Sequence, residues 1–218
     1  MTKAAFVLAL DTSTVVNVGL AQGEHVLATA SVADQMAHAE QLLPLVSDCL
    51  DEAGVRPDDL GQLIVGLGPG PFTGLRVGVA TARVLSYVLQ LELRGICSLD
   101  VLAAQFAGAD SGEFIVATDA KRREVYWARY RADGVRLGEP AVSKPSDVPQ
   151  LPAIGPAADL YSDQLHPVPG PRAMDPGVLA TRGATLPDAG REPLYLRHPD
   201  ATVLTRPKSV LHYQGLRR

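Results

Sequence analysis

The stretch that decides the fold is LIVGLGPGPFTGLRVG, residues 63–78. Its first five residues, Leu63–Leu67, are almost all apolar, which is typical of a strand covered on both faces of a sheet. A turn rich in glycine and proline follows, and the next residues predict a long helix from about Thr73 to Gln90. A buried strand, a tight turn and a helix in this order predict an α/β protein.

Three strand-like runs precede this stretch, at Phe6–Leu10, Val15–Ala21 and Val26–Val32, and short polar turns separate them. They predict an antiparallel meander. A helix is predicted after the meander, from about Ala37 to Ala53, with Gly54 as its C-terminal cap.

A strand at Leu93–Cys97 and a short helix at Leu99–Phe106 complete the order β-β-β-α-β-α-β. This order resembles the ribonuclease H-like half-domain of sugar kinases, actin and Hsp70. We therefore expect a two-lobed α/β fold of the actin-like ATPase (ASKHA) class with a reduced second lobe. The first lobe would cover residues 1–100, the smaller lobe 101–190 and a basic tail 191–218.

The second lobe has fewer regular patterns. Strands are predicted at Phe114–Thr118 and Glu124–Tyr130, and short helices near Ala157–Leu165 and Gly177–Gly183. Beyond Glu139 the chain is rich in proline and glycine. It contains no internal repeat strong enough to form a second complete nucleotide-binding half.

The charge of the chain is unevenly distributed. Residues 191–218 hold six Lys or Arg and two Asp or Glu, a net +4, which leaves −8 for residues 1–190 of the total −4. An acidic body repels phosphate, so we expect nucleic-acid binding only through the tail or through a basic partner. The alternative, ordinary surface charge with a frayed cationic end, is the commoner explanation of such a tail. Two cysteines indicate a reducing compartment, and the first apolar run is too short for a signal peptide or membrane span. The sequence therefore predicts a cytoplasmic protein with no membrane contact.

Two turns could bind an anion or a nucleotide. Asp11 follows the first strand with three hydroxyl residues, and the glycine-rich turn at residues 68–71 precedes a helix N-terminus. The alternatives are a hydroxyl-rich turn that satisfies its own backbone and a rigid corner between strand and helix. The candidate residues are Asp11, Thr12, Ser13, Gly68, Gly70, Thr73 and Gly74.

The two long helices each carry wide apolar surfaces. In the second helix small residues recur every four positions, which lets another helix approach closely. We expect these surfaces to bind a partner, and the alternative is that they pack within this chain. A bulky residue at Gly78 is then expected to abolish pairing with little effect on the fold. The predicted interface residues are Leu42, Leu43, Val46, Leu50, Gly74, Leu75, Gly78, Val79, Ala82 and Ser86.

Local signatures of metal or nucleophile chemistry are absent from the sequence. The five histidines are scattered, with no HExxH pattern, and no G-x-S-x-G motif occurs. We therefore predict no metal site and no catalytic residue. Asp119, Arg122, Arg123 and Glu124 could form a charged cluster, although a solvated hairpin edge is the commoner explanation.

Four motifs, LALDTST (8–14), HAEQLLP (38–44), GPGPFTGLRVG (68–78) and DAKRREVY (119–126), together resemble the bacterial TsaB (YeaZ) family. The segment PLYLR (193–197) resembles the C-terminal motif of that family. The similarity spans residues 6–130, and the glycine-rich loop is its most specific part.

The resemblance implies a non-catalytic subunit in the synthesis of threonylcarbamoyladenosine, the modified base beside the anticodon of tRNAs that read codons beginning with adenine. It implies pairing with the catalytic paralogue TsaD through N-terminal helices, addition of the ATPase TsaE, and contact with tRNA through the complex. A homodimer in isolation and ATP or ADP at a subunit interface are also expected, with no cofactor on the chain alone. The alternatives are a metal-dependent glycoprotease-like peptidase and a small ATP-binding phosphotransferase.

Overall fold

The computed structural model describes residues 5–32, 38–108 and 112–197 of the 218-residue chain. The predicted helix start at Ala37 and the basic tail beyond Arg197 lie outside the described residues. The described residues form eleven strands: β1 (Phe6–Asp11), β2 (Val16–Gln22), β3 (His25–Val32), β4 (Leu60–Gly66), β5 (Glu92–Ile96), β6 (Phe114–Asp119), β7 (Val125–Tyr130), β8 (Arg136–Ser143), β9 (Pro152–Ile154), β10 (His166–Pro167) and β11 (Asp188–Gly190). Its α-helices within those residues are α1 (His38–Ala53), α2 (Phe72–Leu89), α3 (Ser98–Phe106), α4 (Pro156–Leu160) and α5 (Pro176–Arg182).

The first sheet has six strands in the order β11-β5-β4-β1-β2-β3. β1, β2 and β3 pair antiparallel, which confirms the predicted meander. β4 pairs parallel with β1 and with β5. The pairing with β5 is parallel because α2 carries the chain from the end of β4 back to the start of β5.

Helices cover both faces of this sheet. α1 and α2 pack on one face, where Leu8, Val18 and Leu63 contribute to the core. α3 and α5 pack on the other face, around Ile64 and Leu179. Because both faces of β4 are covered, its residues 63–66 are fully buried, as the apolar run predicted.

The second sheet has five strands in the order β10-β9-β6-β7-β8. One of its faces packs against α3, and the other supports α4 in a small separate core around Ile115 and Ala157. Both sheets therefore share α3 between them. The two-lobed α/β architecture predicted from the sequence is confirmed.

Four strands were not predicted from the sequence. β8 is an edge strand that contains Pro140 and has Gly138 at φ +86°, and both features break the alternation of a regular strand. β9, β10 and β11 contain two or three residues each, too few to show a period. Among the described residues, no helix has the length and apolar character needed to cross a membrane.

The chain returns to the first sheet near its end. α5 packs against β1, β2 and β3, and β11 adds an antiparallel edge strand beside β5. A Cβ atom at Gly19 would lie 2.1 Å from the carbonyl oxygen of Pro176, so α5 can pack this closely on β2 only because residue 19 is a glycine. The first sheet is thus built from both ends of the described chain.

Candidate functional site: two closed turns and an exposed helical face

The turn after β1 is held by its own side chains. Asp11 Oδ1 accepts hydrogen bonds from the Ser13 amide (2.8 Å) and from Ser13 Oγ (2.7 Å). Asp11 Oδ2 accepts a further bond from Ser98 Oγ at 2.5 Å. Asp11, Thr12 and Ser13 are all buried, so this turn is a packed internal feature of the first lobe.

The glycine-rich turn packs directly onto the Asp11 turn. A Cβ atom at Gly70 would lie 2.5 Å from the carbonyl oxygen of Ser13, so the two backbones touch. Gly68 has a φ of +91°, and its amide donates to Ser98 Oγ at 3.0 Å. Ser98 therefore links the two turns through one hydroxyl group.

These contacts favour the structural interpretation of both turns over the anion-binding one. The Ser13 amide and the Gly68 amide, which could have faced a phosphate, each already have a side-chain acceptor. Thr73 is exposed on the first turn of α2, and the residue that caps this helix is Pro71. Nucleotide binding by these residues stays a prediction that the described contacts do not support.

The predicted stripe of small residues on α2 lies inside the chain, so its assignment to a partner surface was wrong. Gly74, Leu75, Gly78, Val79 and Ala82 are all buried. The physical reason is the Asp11 turn, which occupies the space that Gly78 leaves open. A Cβ atom at Gly78 would lie 2.1 Å from Thr12 Oγ1, so the expectation that Gly78→Phe would spare the fold was also wrong.

The remaining predicted interface residues divide between core and surface. Leu42 is fully buried and Ser86 is half-buried, with its hydroxyl donating to the carbonyl of Leu91 at the end of α2. Leu43 is 52% exposed, whereas Val46 and Leu50 are buried at the bottom of a groove between α1 and α2. The prediction of an exposed apolar surface on α1 therefore holds for Leu43.

An apolar face on the outside of α2 was not predicted from the sequence. Val84, Tyr87 and Val88 are 60%, 86% and 67% exposed. Their spacing of three and four residues places them on one side of the helix, opposite the buried stripe. This spacing is visible in the sequence and could have indicated the exposed face. Together with Leu43 they form what we call the outer α1–α2 face.

A groove of about 290 Å³ runs along the outer α1–α2 face. Its lining is almost entirely aliphatic, with Leu43 and Val88 at its rim and Leu8 and Leu60 beneath it. An apolar groove beside exposed aromatic and aliphatic side chains is typical of a protein–protein contact.

The C-terminal segment, residues 191–197, binds across both lobes. At one end Arg83 donates to the Glu192 carboxylate at 2.6 Å, and the Tyr195 ring stacks on Phe72 with centroids 4.4 Å apart. At the other end Arg197 pairs with Glu124 and donates to the carbonyl of Ala120 at 2.7 Å. The segment therefore connects α2 with the turn between β6 and β7.

A buried polar cluster joins α3 to the second sheet. Tyr130 donates to Asp100 Oδ1 at 2.7 Å, and Arg136 Nη1 lies 3.3 Å from the same oxygen. Burial raises the pKa of Asp100, and Arg136 opposes this effect only in part. Burial also raises the pKa of Tyr130, so its hydroxyl stays protonated and keeps donating. No pattern in the sequence indicated this cluster.

Among the described residues, no three His, Cys, Asp or Glu side chains come together in a group that could hold a metal ion.

Comparison with known proteins decides the family. Residues 30–181 match the family model described as TsaD: tRNA N6-adenosine threonylcarbamoyltransferase. A Mycobacterium tuberculosis protein described as uncharacterized is 42% identical over 205 residues, or 91% of this chain and 94% of that protein. The Escherichia coli tRNA threonylcarbamoyladenosine biosynthesis protein TsaB is 38% identical over 117 residues. The chain belongs to the TsaB (YeaZ) family.

The similarity to the E. coli TsaB protein covers 51% of this chain and 50% of that protein. The solved structure of YeaZ from Pseudomonas aeruginosa is 26% identical and superposes with a TM-score of 0.71, covering 88% of this chain and all of that chain. The TsaB-family fold therefore extends through the second lobe, where the sequence motifs are sparse.

Proposed function

We propose that the chain is a non-catalytic subunit in the formation of threonylcarbamoyladenosine in tRNA. The family supports this role, since relatives in E. coli and Bacillus subtilis carry the name tRNA threonylcarbamoyladenosine biosynthesis protein TsaB. The chain would act in the cytoplasm by binding the catalytic paralogue TsaD. TsaE would join the pair, and ATP or ADP would sit at a subunit interface.

The observation that carries the proposal is the outer α1–α2 face. It exposes Leu43, Val84, Tyr87 and Val88 beside an aliphatic groove. Leaving this much apolar surface in water is unfavourable, and burying it against a second subunit removes that cost. The partner is expected to offer an equally apolar helical face, because the groove has almost no polar groups that could recognise charged side chains.

The closed turns also support a subunit without its own active site. Asp11, Ser13 and Ser98 direct their polar atoms at one another and stabilise the first lobe. Side chains committed to internal hydrogen bonds cannot also bind a substrate without losing those bonds. The peptidase and phosphotransferase alternatives gain no support from these contacts.

The test is a double variant, Tyr87→Glu with Val88→Asp, purified with TsaD. Both side chains are exposed, so the variant should fold with an unchanged unfolding midpoint. Two charges in the centre of an apolar interface should abolish co-elution with TsaD in size-exclusion chromatography. Threonylcarbamoyladenosine formation by TsaD, TsaE and the variant should fall to the level measured without the chain.

The matched control is Val135→Asp with Leu160→Glu, since these residues are also exposed and apolar but lie on the second lobe. This control should pair with TsaD as the unaltered chain does. Co-elution of TsaD with the Tyr87 and Val88 variant would contradict the proposed surface, and modification of tRNA by the chain alone would contradict the non-catalytic role.

Without TsaD, the same face should pair two copies of the chain, and the Tyr87 and Val88 variant should then sediment as a monomer.

A further inference from the structure

A notch of about 450 Å³ lies between α2 and the C-terminal segment. Val79, Ala80 and Val84 line it from the helix, and Pro193 and Tyr195 line it from the segment. The walls of this α2–segment notch are therefore mostly apolar. The notch is separate from the aliphatic groove, which lies on the side of α2 that faces α1.

The C-terminal segment is a fixed wall of the notch. The Leu194 amide donates to the carbonyl of Leu67 at 2.8 Å, and the Leu194 side chain packs against the cores on both faces of the first sheet. Beside it the Tyr195 ring stacks on Phe72, and Arg76 Nε donates to the Tyr195 hydroxyl at 3.3 Å. Because these contacts already hold the segment, a partner does not have to order it, and this lowers the cost of binding.

The notch continues the outer α1–α2 face onto the segment. Val84 belongs to both, since it is part of that face and also lines the notch. Tyr195, on the opposite wall, is 39% exposed. Nine large hydrophobic side chains are exposed among the described residues, and five of them lie on this combined surface: Leu43, Val84, Tyr87, Val88 and Tyr195. A partner that covers Val84 would therefore also lie over the notch.

The charged groups of the notch already have partners within the chain. Arg83 pairs with Glu192 at 2.6 Å, and the Arg76 guanidinium lies over the Phe72 ring, 5.3 Å from its centroid. These groups therefore offer little to a phosphate or a carboxylate. The remaining surface of the notch is apolar, so an aliphatic side chain fits it best.

We propose that an aliphatic side chain from a helix of TsaD fills the α2–segment notch, and that the C-terminal segment is thus part of the docking surface. The inference rests on the proposed function, which by itself needs only the outer α1–α2 face. It gives a role to the motif PLYLR (193–197), whose first and third residues line the notch. The partner then contacts both α2 and the segment that connects α2 with the second lobe.

The first experiment fills the notch from within. Ala80 is exposed and lines the notch, so Ala80→Trp should occupy it without disturbing the core. The matched control is Ala173→Trp, since Ala173 is also exposed and its carbonyl accepts a hydrogen bond from Gln105 of α3, on the opposite face of the first sheet. Isothermal titration calorimetry measures the affinity of each full-length variant for TsaD, and thermal unfolding checks that both are folded.

We expect Ala80→Trp to bind TsaD about tenfold more weakly, because its indole ring takes the space of the partner's side chain. Ala173→Trp should bind as the unaltered chain does. Unchanged or tighter binding by Ala80→Trp would overturn the proposal, and so would equal losses in the two variants.

The second experiment examines the wall that the segment provides. Tyr195→Ala should weaken TsaD binding about tenfold, whereas Tyr195→Phe keeps the ring and should bind normally. Because Tyr195→Ala can also loosen the segment, the photo-reactive residue p-benzoylphenylalanine is placed at position 195 and, as a control, at the exposed position 160 of the second lobe. Irradiation should cross-link TsaD to position 195 and not to position 160. Without a cross-link at position 195, the contact stops at α2 and the proposal fails.

The outcomes separate this inference from the proposed function. If the unaltered chain does not bind TsaD, the proposed function fails and the inference fails with it. If Tyr87→Glu with Val88→Asp abolishes pairing but Ala80→Trp and Tyr195→Ala do not, the proposed function stands and the notch is not part of the surface. If Ala80→Trp prevents only the pairing of two copies of the chain, a second copy fills the notch and the proposal is wrong.

Discussion

Thr12 Oγ1 donates a 2.7 Å hydrogen bond to the carbonyl oxygen of Gly74, across 62 residues of sequence. The same hydroxyl oxygen would lie 2.1 Å from a Cβ atom at Gly78, one turn further along α2. Gly78 therefore makes room for the turn after β1, and the carbonyl of Gly74 accepts a hydrogen bond from that turn. These two glycines join the two most distinctive motifs of the chain within one lobe.

Replacing Gly78 by alanine should destabilise the fold. In a helix without close neighbours, replacing glycine by alanine stabilises the helix by about 1 kcal/mol, because alanine has the higher helix propensity. Here the added methyl group meets Thr12, and overpacking of this kind costs about 2 kcal/mol. Urea denaturation followed by circular dichroism measures the difference. Adding Thr12→Ala should restore part of the loss, and a Gly78→Ala protein at least as stable as its parent would contradict the packing described.

Replacing Ser98 by alanine should also destabilise the first lobe. The change removes the donor to Asp11 and the acceptor for the Gly68 amide, and both groups are buried. Unsatisfied buried polar groups of this kind cost about 2 kcal/mol. Ser162→Ala is the control, since Ser162 is exposed. Equal unfolding free energies for the two variants would show that Ser98 has no structural role.

Removing the Arg197 side chain should loosen the turn between β6 and β7. Arg197→Ala loses the contacts to Ala120 and Glu124 that hold this turn from outside. Hydrogen exchange at the amides of Ala120 and Glu124 should become about tenfold faster, while exchange in β4 stays unchanged. Arg191→Ala, in the same segment, should leave these rates as they are. Unaltered exchange in Arg197→Ala would mean that the turn is stable by itself.

The two cysteines should resist modification in the folded chain. Burial raises the pKa of Cys49 to about 11 and that of Cys97 to about 12. Only the thiolate reacts, and each unit of pKa lowers its fraction about tenfold near neutral pH. Ellman's reagent at about pH 8 should therefore label neither residue until denaturant is added, after which it should label both. Rapid labelling of one thiol before unfolding would show that its site opens.

The order of elements in the first lobe could be predicted because each run carries a local signal. Leu63–Leu67 is almost all apolar, and α1 ends before Gly54 with its φ of +64°. β8 carries no such signal, since its proline and glycine are tolerated only because it is an edge strand.

The docking surface was harder to predict, because helical periodicity identifies two apolar sides of α2 without saying which one meets the sheet. The small residues suggested an intermolecular contact, yet Gly74 and Gly78 contact Thr12, which is distant from them in sequence. Tyr87 and Val88 lie on the opposite side and stay exposed. Only the three-dimensional position of the Asp11 turn distinguishes the two sides.

The return of α5 and β11 to the first sheet sets an order of events during synthesis. β1, β2 and β3 leave the ribosome early, but the helix that covers one of their faces begins only at Pro176. Until that helix emerges, the early strands have an uncovered hydrophobic surface. We therefore expect the nascent chain to need protection by a chaperone until most of its length has been translated.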